Sequence, residues 1–246
     1  DAAATAEALG SGATHASLVA TTLIRLLEVR DRFPGTVRAV LVGGGPAPAA
    51  LLARARAAGL PALHTYGLTE AASQVTAERL RDADGATAGW PLPGVEVRVS
   101  QGAIEVRGPT MMLGYLGEPP LSGWFQTGDL GELDHRGRLV VHARRSDLIV
   151  SGGENVYPAE VEAAVLSHPH VSDCAVLPWP DEQLGQVGCA AVVLRRPVAV
   201  DDLREHCRAR LAGFKVPRRF TIVDELPRNA AGKTDRPALL RSLQRP

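Results

Sequence analysis

Two short apolar runs, Val37–Val42 and Leu63–Tyr66, each stop at a glycine-bearing polar loop, and an Ala-rich helical stretch, Pro48–Ala58, lies between them. Alternation of strand and helix over the first ~80 residues predicts a mostly parallel sheet. The loops are Gly43-Gly44-Gly45-Pro46 and Gly67-Leu68-Thr69-Glu70. Both follow strands, which is where open α/β sheets place ligands. Upstream, Ser17–Arg30 reads as a helix. Its Leu18, Val19, Leu23, Ile24, Leu26 and Leu27 fall largely on one face, and Pro34-Gly35 stops it. Gly59 takes the C-terminal capping position of the second helix.

The pattern changes near Arg81–Pro93. Val95–Val99 and Ala103–Arg107 alternate apolar and polar residues around Gly102, which predicts a hairpin. Arg138–Ala143 is a further strand after the turn His135-Arg136-Gly137. A second change falls at Arg144–Asp147. Beyond it, Pro158–His168 reads as a helix with proline at its start. Val171–Leu177, Cys189–Leu194 and Phe220–Val223 read as strands, and Asp201–Leu211 and Pro237–Leu243 as helices. The expected organisation is therefore an α/β region over 1–84, a β-rich subdomain over 85–143, and a compact α+β domain over 144–246.

Composition excludes several classes. Apolar residues make up 45% and charged residues 22%, as in a folded globular chain. The net charge of zero gives no general attraction to nucleic acid or to an anionic membrane. Aromatics, at 4%, are too few for a base-stacking platform. No apolar run has the length of a membrane span. The N-terminus has neither the basic nor the apolar region of a signal peptide. The three cysteines, Cys174, Cys189 and Cys207, form no Cys-x-x-Cys pair, so the expected setting is the reducing cytoplasm. Of 27 basic residues only Lys215 and Lys233 are lysine. Codon bias explains such a skew, yet a compact ammonium does work that a planar guanidinium cannot.

Four segments carry residue types suited to chemistry. Tyr66-Gly67-Leu68-Thr69-Glu70 offers a ring for a base, a hydroxyl for a phosphate oxygen and a carboxylate for Mg²⁺. It is also compatible with a plain helix start capped by Thr69. In Gly123-Trp124-Phe125-Gln126-Thr127-Gly128-Asp129-Leu130-Gly131 a carboxylate among glycines suits a ribose diol, or marks a surface turn. The stretch from Arg144 to Glu162 sets two arginines and the Gly152-Gly153 loop at a domain boundary. The tail Leu226-Pro227-Arg228-Asn229-Ala230-Ala231-Gly232-Lys233 puts one of the two lysines in a glycine-bearing loop.

In this order and spacing the four segments resemble the adenylate-forming superfamily of acyl-CoA synthetases, aryl-CoA ligases and luciferases, over nearly the whole chain. The resemblance implies an ATP-dependent acid–CoA ligase, with ATP, Mg²⁺ and coenzyme A as reactants and cofactor. It implies that Tyr66 stacks on adenine, Thr69 contacts the α-phosphate and Glu70 holds Mg²⁺. Gly43, Gly44, Gly45 and Gly67 would line the nucleotide and acyl pocket, and Asp129 and Arg144 would bind the ribose. Lys233 would bridge the carboxylate and the α-phosphate. Ser146 occupies the hinge position, and Gly152 and Gly153 form the loop presented to coenzyme A when the small C-terminal domain swings between steps. Lys215 lies in a further family motif, Phe214-Lys215-Val216-Pro217, with no role assigned.

Thr14–Val19, Val42–Pro48, Glu70–Gln74 and Ser151–Pro158 resemble segments of o-succinylbenzoate–CoA ligases of menaquinone synthesis. The last also resembles fatty-acid synthetases. A pocket for an aromatic dicarboxylate needs polar donors beside an apolar wall, and His15, Ser73 and Gln74 are the candidates. A fatty acid or another aryl acid is the alternative substrate. The family's lysine-containing phosphate loop is not found in this chain, which has about half the family's usual length. A non-catalytic fragment is therefore the alternative from another class. A homo-oligomer, or a separate N-terminal half acting in trans, is the partner this implies.

Overall fold

The computed structural model describes residues 1–229 and 232–244. They divide into two units, Asp1–Val141 and His142–Pro246.

The first unit opens with α1 (Ala2–Gly10), β1 (His15–Val19), α2 (Ala20–Val29), β2 (Ala39–Gly43), α3 (Ala49–Ala57), β3 (Ala62–Leu68), β4 (Ser73–Ala77) and β5 (Trp90–Pro91). The strands form a five-stranded sheet in the order β1-β2-β3-β4-β5. The pairs β1–β2 and β2–β3 are parallel, whereas β3–β4 and β4–β5 are antiparallel. The helices pack by the spacing of their apolar residues. Leu23, Leu26 and Leu27 of α2 are buried, at the i, i+3, i+4 positions of one face. They join Leu9 of α1, Leu52 of α3 and Val40 and Val42 of β2 in one core.

A second, four-stranded sheet follows in the order β6 (Glu96–Ser100), β7 (Ala103–Arg107), β8 (Phe125–Leu133) and β9 (Leu139–Arg144). The β6–β7 hairpin closes through Gln101 and Gly102, both at positive φ (49° and 77°), the turn geometry that matches strand twist.

The second unit contains β10 (Ile149–Ser151), β11 (Glu154–Val156), α4 (Pro158–Leu166), β12 (Val171–Asp181), β13 (Gly185–Leu194), α5 (Val200–Arg208), β14 (Arg219–Ile222) and α6 (Arg236–Leu243). Its sheet runs β11-β10-β13-β12, with β14 parallel to β13. Period-2 alternation separates the two faces. Cys174, Val176, Ala190 and Val192 pack with Val161 of α4 and Leu203 of α5. Ala175, Leu177 and Ala191 pack with Leu226 and Leu239.

Three expectations from the sequence need correction. Ser17–Val19 is not the start of a helix: it completes β1, because Ser17, Leu18 and Val19 pair with Leu41, Val42 and Gly43 of β2. The helical periodicity is real only from Ala20. Thr69–Ala71 is a single 3₁₀ turn and not the start of an α-helix. Ala72, at φ 54°, ends it, and the chain turns back into β4. Ser73 and Gln74 therefore lie on a strand and not on a helix face. Finally, Asp129 is on no surface turn: it is buried in β8.

Candidate active site

The β3–β4 corner is built around Gly67. Pairing shifts register between Tyr66 and Gly67, a β-bulge. A Cβ on Gly67 would stand 1.8 Å from the Ser73 carbonyl oxygen, so only glycine lets β4 close on β3 at this register. The bulge aims Tyr66 at the second sheet. Its hydroxyl donates to Asp129 Oδ2 at 2.7 Å. Asp129 is only 6% exposed, and its own N–H donates to Thr127 Oγ1 at 3.1 Å. Thr127 in turn donates to the Ile104 carbonyl at 3.0 Å, which ties this stretch of β8 to β7.

Glu70 sits in the 3₁₀ turn after β3. Its Oε1 accepts from the Tyr115 hydroxyl at 2.9 Å, and its carbonyl accepts from the Met112 N–H at 2.7 Å. The segment after β7 thus anchors the turn from its far side. One carboxylate oxygen taken by a neutral hydroxyl leaves the other for a hard cation. A single carboxylate with phosphate oxygens and water is a donor set that fits Mg²⁺. Among the described residues no group of three or more His, Cys, Asp and Glu could hold a metal by itself.

Gly43 ends β2 and packs against Thr65, whose Oγ1 donates to the Val42 carbonyl at 3.2 Å. Gly44 and Gly45 continue past the strand end. The C-terminal ends of the parallel strands β2 and β3 therefore bring Gly43, Gly44 and Gly45 to the same edge of the sheet as Tyr66, Gly67, Thr69 and Glu70. Ser73 and Gln74 pair with Leu68 and Gly67 and lie at this edge too. His15 does not. It begins β1, opposite Ala39 at the start of β2, about 13 Å along the strand from Val19 at ~3.3 Å per residue. It is exposed and shares a hydrogen bond of 2.8 Å with Thr14 Oγ1. His15 thus lies at the opposite end of the parallel strands from the other candidate residues.

In the second unit, Arg144 ends β9, and Ser146 sits in the 3₁₀ turn Arg145–Asp147. Ser146 Oγ donates to Asp147 Oδ1 at 3.0 Å. Gly152 and Gly153, at φ 59° and 88°, make the two-residue turn of the β10–β11 hairpin. The Gly152 N–H donates to the Leu184 carbonyl at 3.0 Å. Beside this turn lies a cleft of about 250 Å³ lined by Ser151, Leu184, Val187, Phe214, Val216 and Arg218. Lys215 points away from chemistry: its ammonium binds both Glu160 oxygens, at 2.7 and 2.8 Å, and fastens the Gly213–Lys215 turn to α4.

Lys233 is exposed, in a small closed loop. Its N–H donates to Asn229 Oδ1 at 3.0 Å, and its carbonyl accepts from the Asn229 N–H at 2.8 Å. Ala230 and Ala231 of that loop lie outside the described residues. No carboxylate pairs with the Lys233 ammonium among the described residues. Sequence reasoning did not find the contacts of Tyr115 with Glu70, Thr127 with Ile104, or Asp147 with Arg236, because these partners are distant along the chain. Only Arg236 had a local signal, as a cation opening a helix three residues past Lys233.

Comparison with known proteins bears on the fold and the family. The family described as AMP-binding enzyme matches residues 2–116, and the AMP-binding enzyme C-terminal domain matches 160–233. The 2-succinylbenzoate–CoA ligase of Bacillus licheniformis is 44% identical over 243 residues, covering 89% of this chain and 50% of the relative. That of Geobacillus kaustophilus is 46% identical, covering 93% and 51%. Among solved structures, the o-succinylbenzoate CoA synthetase of Bacillus subtilis with its acyl-adenylate intermediate matches 97% of this chain and 53% of its own, at TM-score 0.89 and 39% identity. ATP-bound MatB from Rhodopseudomonas palustris matches at TM-score 0.88 and 30% identity, over 99% and 53%. The chain spans about half the length of the curated relatives it matches. Two family matches that together take in both units, on a fold that superimposes on solved members, lead to one conclusion: the chain belongs to the family of AMP-binding, adenylate-forming enzymes.

Proposed function

We propose that this protein is an ATP-dependent acid–CoA ligase that converts 2-succinylbenzoate to 2-succinylbenzoyl-CoA in menaquinone synthesis, in the cytoplasm. The observation that carries the reading is the joining of Tyr66 to Asp129, with Glu70 at the same strand end. Similarity at 39–46% identity to 2-succinylbenzoate–CoA ligases supports the choice of acid.

In the first step a carboxylate oxygen attacks the α-phosphorus of ATP, and the bond to pyrophosphate breaks. In the second the thiol sulfur of coenzyme A attacks the acyl carbon, its proton leaves, and AMP departs with the electron pair of the C–O bond. Such transfers depend on positioning and charge neutralisation more than on covalent help. Tyr66 would offer its ring to adenine while its hydroxyl holds Asp129. Asp129 and Arg144 would take the ribose hydroxyls, and Gly43, Gly44, Gly45 and Gly67 would border the nucleotide. The Thr69 hydroxyl would meet the α-phosphate. Glu70 would hold Mg²⁺, which neutralises phosphate charge when bound. Lys233, whose ammonium pairs with no carboxylate among the described residues, would bridge the two reacting anions. Gly152 and Gly153 would admit coenzyme A, and Ser146 would act as the hinge. Ser73 and Gln74 would meet the acid's second carboxylate. Residues 1–143 and 144–246 would be the end of the large domain and the small mobile domain.

The test is thioester formation with ATP, Mg²⁺ and coenzyme A, comparing 2-succinylbenzoate, benzoate and octanoate, with Lys233→Ala as control. Turnover confined to 2-succinylbenzoate and lost in the variant is the expected result. Turnover with octanoate instead would assign a fatty-acid ligase. Since the chain spans half the length of its relatives, silence with every acid would favour a second reading, in which catalysis needs the remaining segment supplied in trans.

A further inference from the structure

Arg236 opens α6, three residues after Lys233, and its guanidinium faces three separate elements. Nη1 donates to the Val176 carbonyl of β12 at 2.6 Å. Nη2 donates to Glu162 Oε1 of α4 at 2.6 Å. Nε stands 3.6 Å from Asp147 Oδ2, in the 3₁₀ turn that carries Ser146. Glu162 Oε1 also accepts the Val176 N–H at 2.8 Å, so the acceptor is itself fixed. Asp147 divides its two oxygens: Oδ1 takes the Ser146 hydroxyl and Oδ2 faces Arg236.

The described residues on either side of Lys233 are held. Arg228 pairs with Asp173 on one side. On the other, the Asp235 N–H donates to the Pro227 carbonyl at 2.8 Å, and Asp235 caps α6 through the Ala238 N–H at 2.9 Å. Arg236 follows at once. Only a planar fork with donors in three directions can meet Val176, Glu162 and Asp147 together; a lysine in its place would satisfy one. Partly buried ion pairs of this kind add little net stability, because desolvation opposes the Coulomb gain. What they do supply is a definite geometry.

We propose that Arg236 is a positioning residue, which through Asp147 and Glu162 makes Asp147 and the segment 232–236, with Lys233 in it, one rigid piece of the second unit. The proposal rests on the ligase reading for its purpose: a lysine that must arrive with its ammonium at two reacting anions has to be fixed to the residues that follow the hinge. A loop free to shift by 1 Å would lose that alignment.

Hydrogen exchange followed by mass spectrometry on the whole chain tests the clamp without requiring turnover. Asp147→Asn keeps the side chain's shape and removes the charge that Arg236 faces. The expected result is a tenfold or greater rise in exchange at 232–236, far from the substitution in sequence, together with 145–149, while 171–194 keeps its wild-type rates. Arg236→Gln should reproduce the pattern. A rise confined to 145–149 would overturn the proposal, as would one spread evenly through 171–194. If Arg236→Gln fails to fold, Asp147→Asn alone decides. A thioester assay that stays silent even with the remaining segment supplied in trans, with the exchange pattern as expected, would count against the ligase reading and leave the clamp standing.

Discussion

The Tyr66 hydroxyl and the Asp129 carboxylate, 63 residues apart in sequence, meet at 2.7 Å between two different sheets. The contact joins the end of β3 to β8 and sets a buried carboxylate beside the strand ends that carry the glycine loop. Tyr66→Phe removes one donor from a carboxylate that stays buried. A hydrogen bond to a charged group contributes about 1.5–3 kcal/mol, so urea titration should show a loss of about that size. Asp129→Asn should cost less in stability but weaken AMP binding about tenfold by calorimetry, since an amide keeps one acceptor oxygen and no charge where a carboxylate offers two charged ones. Unchanged AMP affinity in Asp129→Asn would remove Asp129 from the nucleotide site.

Gly67 and Gly45 predict opposite outcomes for the same change. A Cβ at 67 meets the Ser73 carbonyl at 1.8 Å, and backbone must move. At 45 the added atom enters open space. Gly67→Ala should cost about 3 kcal/mol or more, within the range for backbone clashes and overpacking, and Gly45→Ala within about 0.5 kcal/mol. Equal midpoints for the two variants in denaturant would contradict the bulge geometry.

The two lysines separate in the same way. Lys215→Ala breaks a partly exposed pair with Glu160 and should lower stability by at most about 1 kcal/mol. Lys233→Ala should leave the melting temperature unchanged, because the side chain is exposed. Its effect should fall on adenylation, a hundredfold or greater loss in acid-dependent pyrophosphate exchange, in line with removal of a preorganised charge. A melting temperature that falls in Lys233→Ala would point to a structural lysine.

Acid should loosen the β8–β9 turn. Burial pushes the Asp134 carboxyl up, but the N–H groups of Arg138 and Arg136 and the Arg138 guanidinium outweigh it and hold the group at about 2. Hydrogen bonding to Arg138 also lowers Asp84, 2.7 Å from the same guanidinium. Both folded-state values lie below the unfolded ones. Their stabilisation is therefore complete above the unfolded value near 3.8 and disappears as pH falls from there toward about 2. Melting temperature against pH should drop across that window in the wild type and less steeply in Asp134→Asn. Parallel curves would show that the carboxylate contributes nothing to acid sensitivity.

The residues themselves settled whatever depends on near neighbours. Leu23, Leu26 and Leu27 fix the face of α2, proline opens α4, and Gln101-Gly102 closes the β6–β7 hairpin, because each is a matter of spacing within one turn. The four chemistry-bearing segments were likewise legible, since their residue types stand side by side. Tertiary structure decided the rest. His15–Val19 became a strand because β2 lay beside it, and this set His15 at the strand end away from the glycine loop. Thr69–Ala71 stopped after one turn because Gly67 let Ser73 approach. Tyr115 reached Glu70 across 45 residues. Arg236 found Asp147 only once α6 had packed on β12. Periodicity reports which face of a segment is buried; the partner that a buried polar group meets there is chosen by chain that folds in from elsewhere.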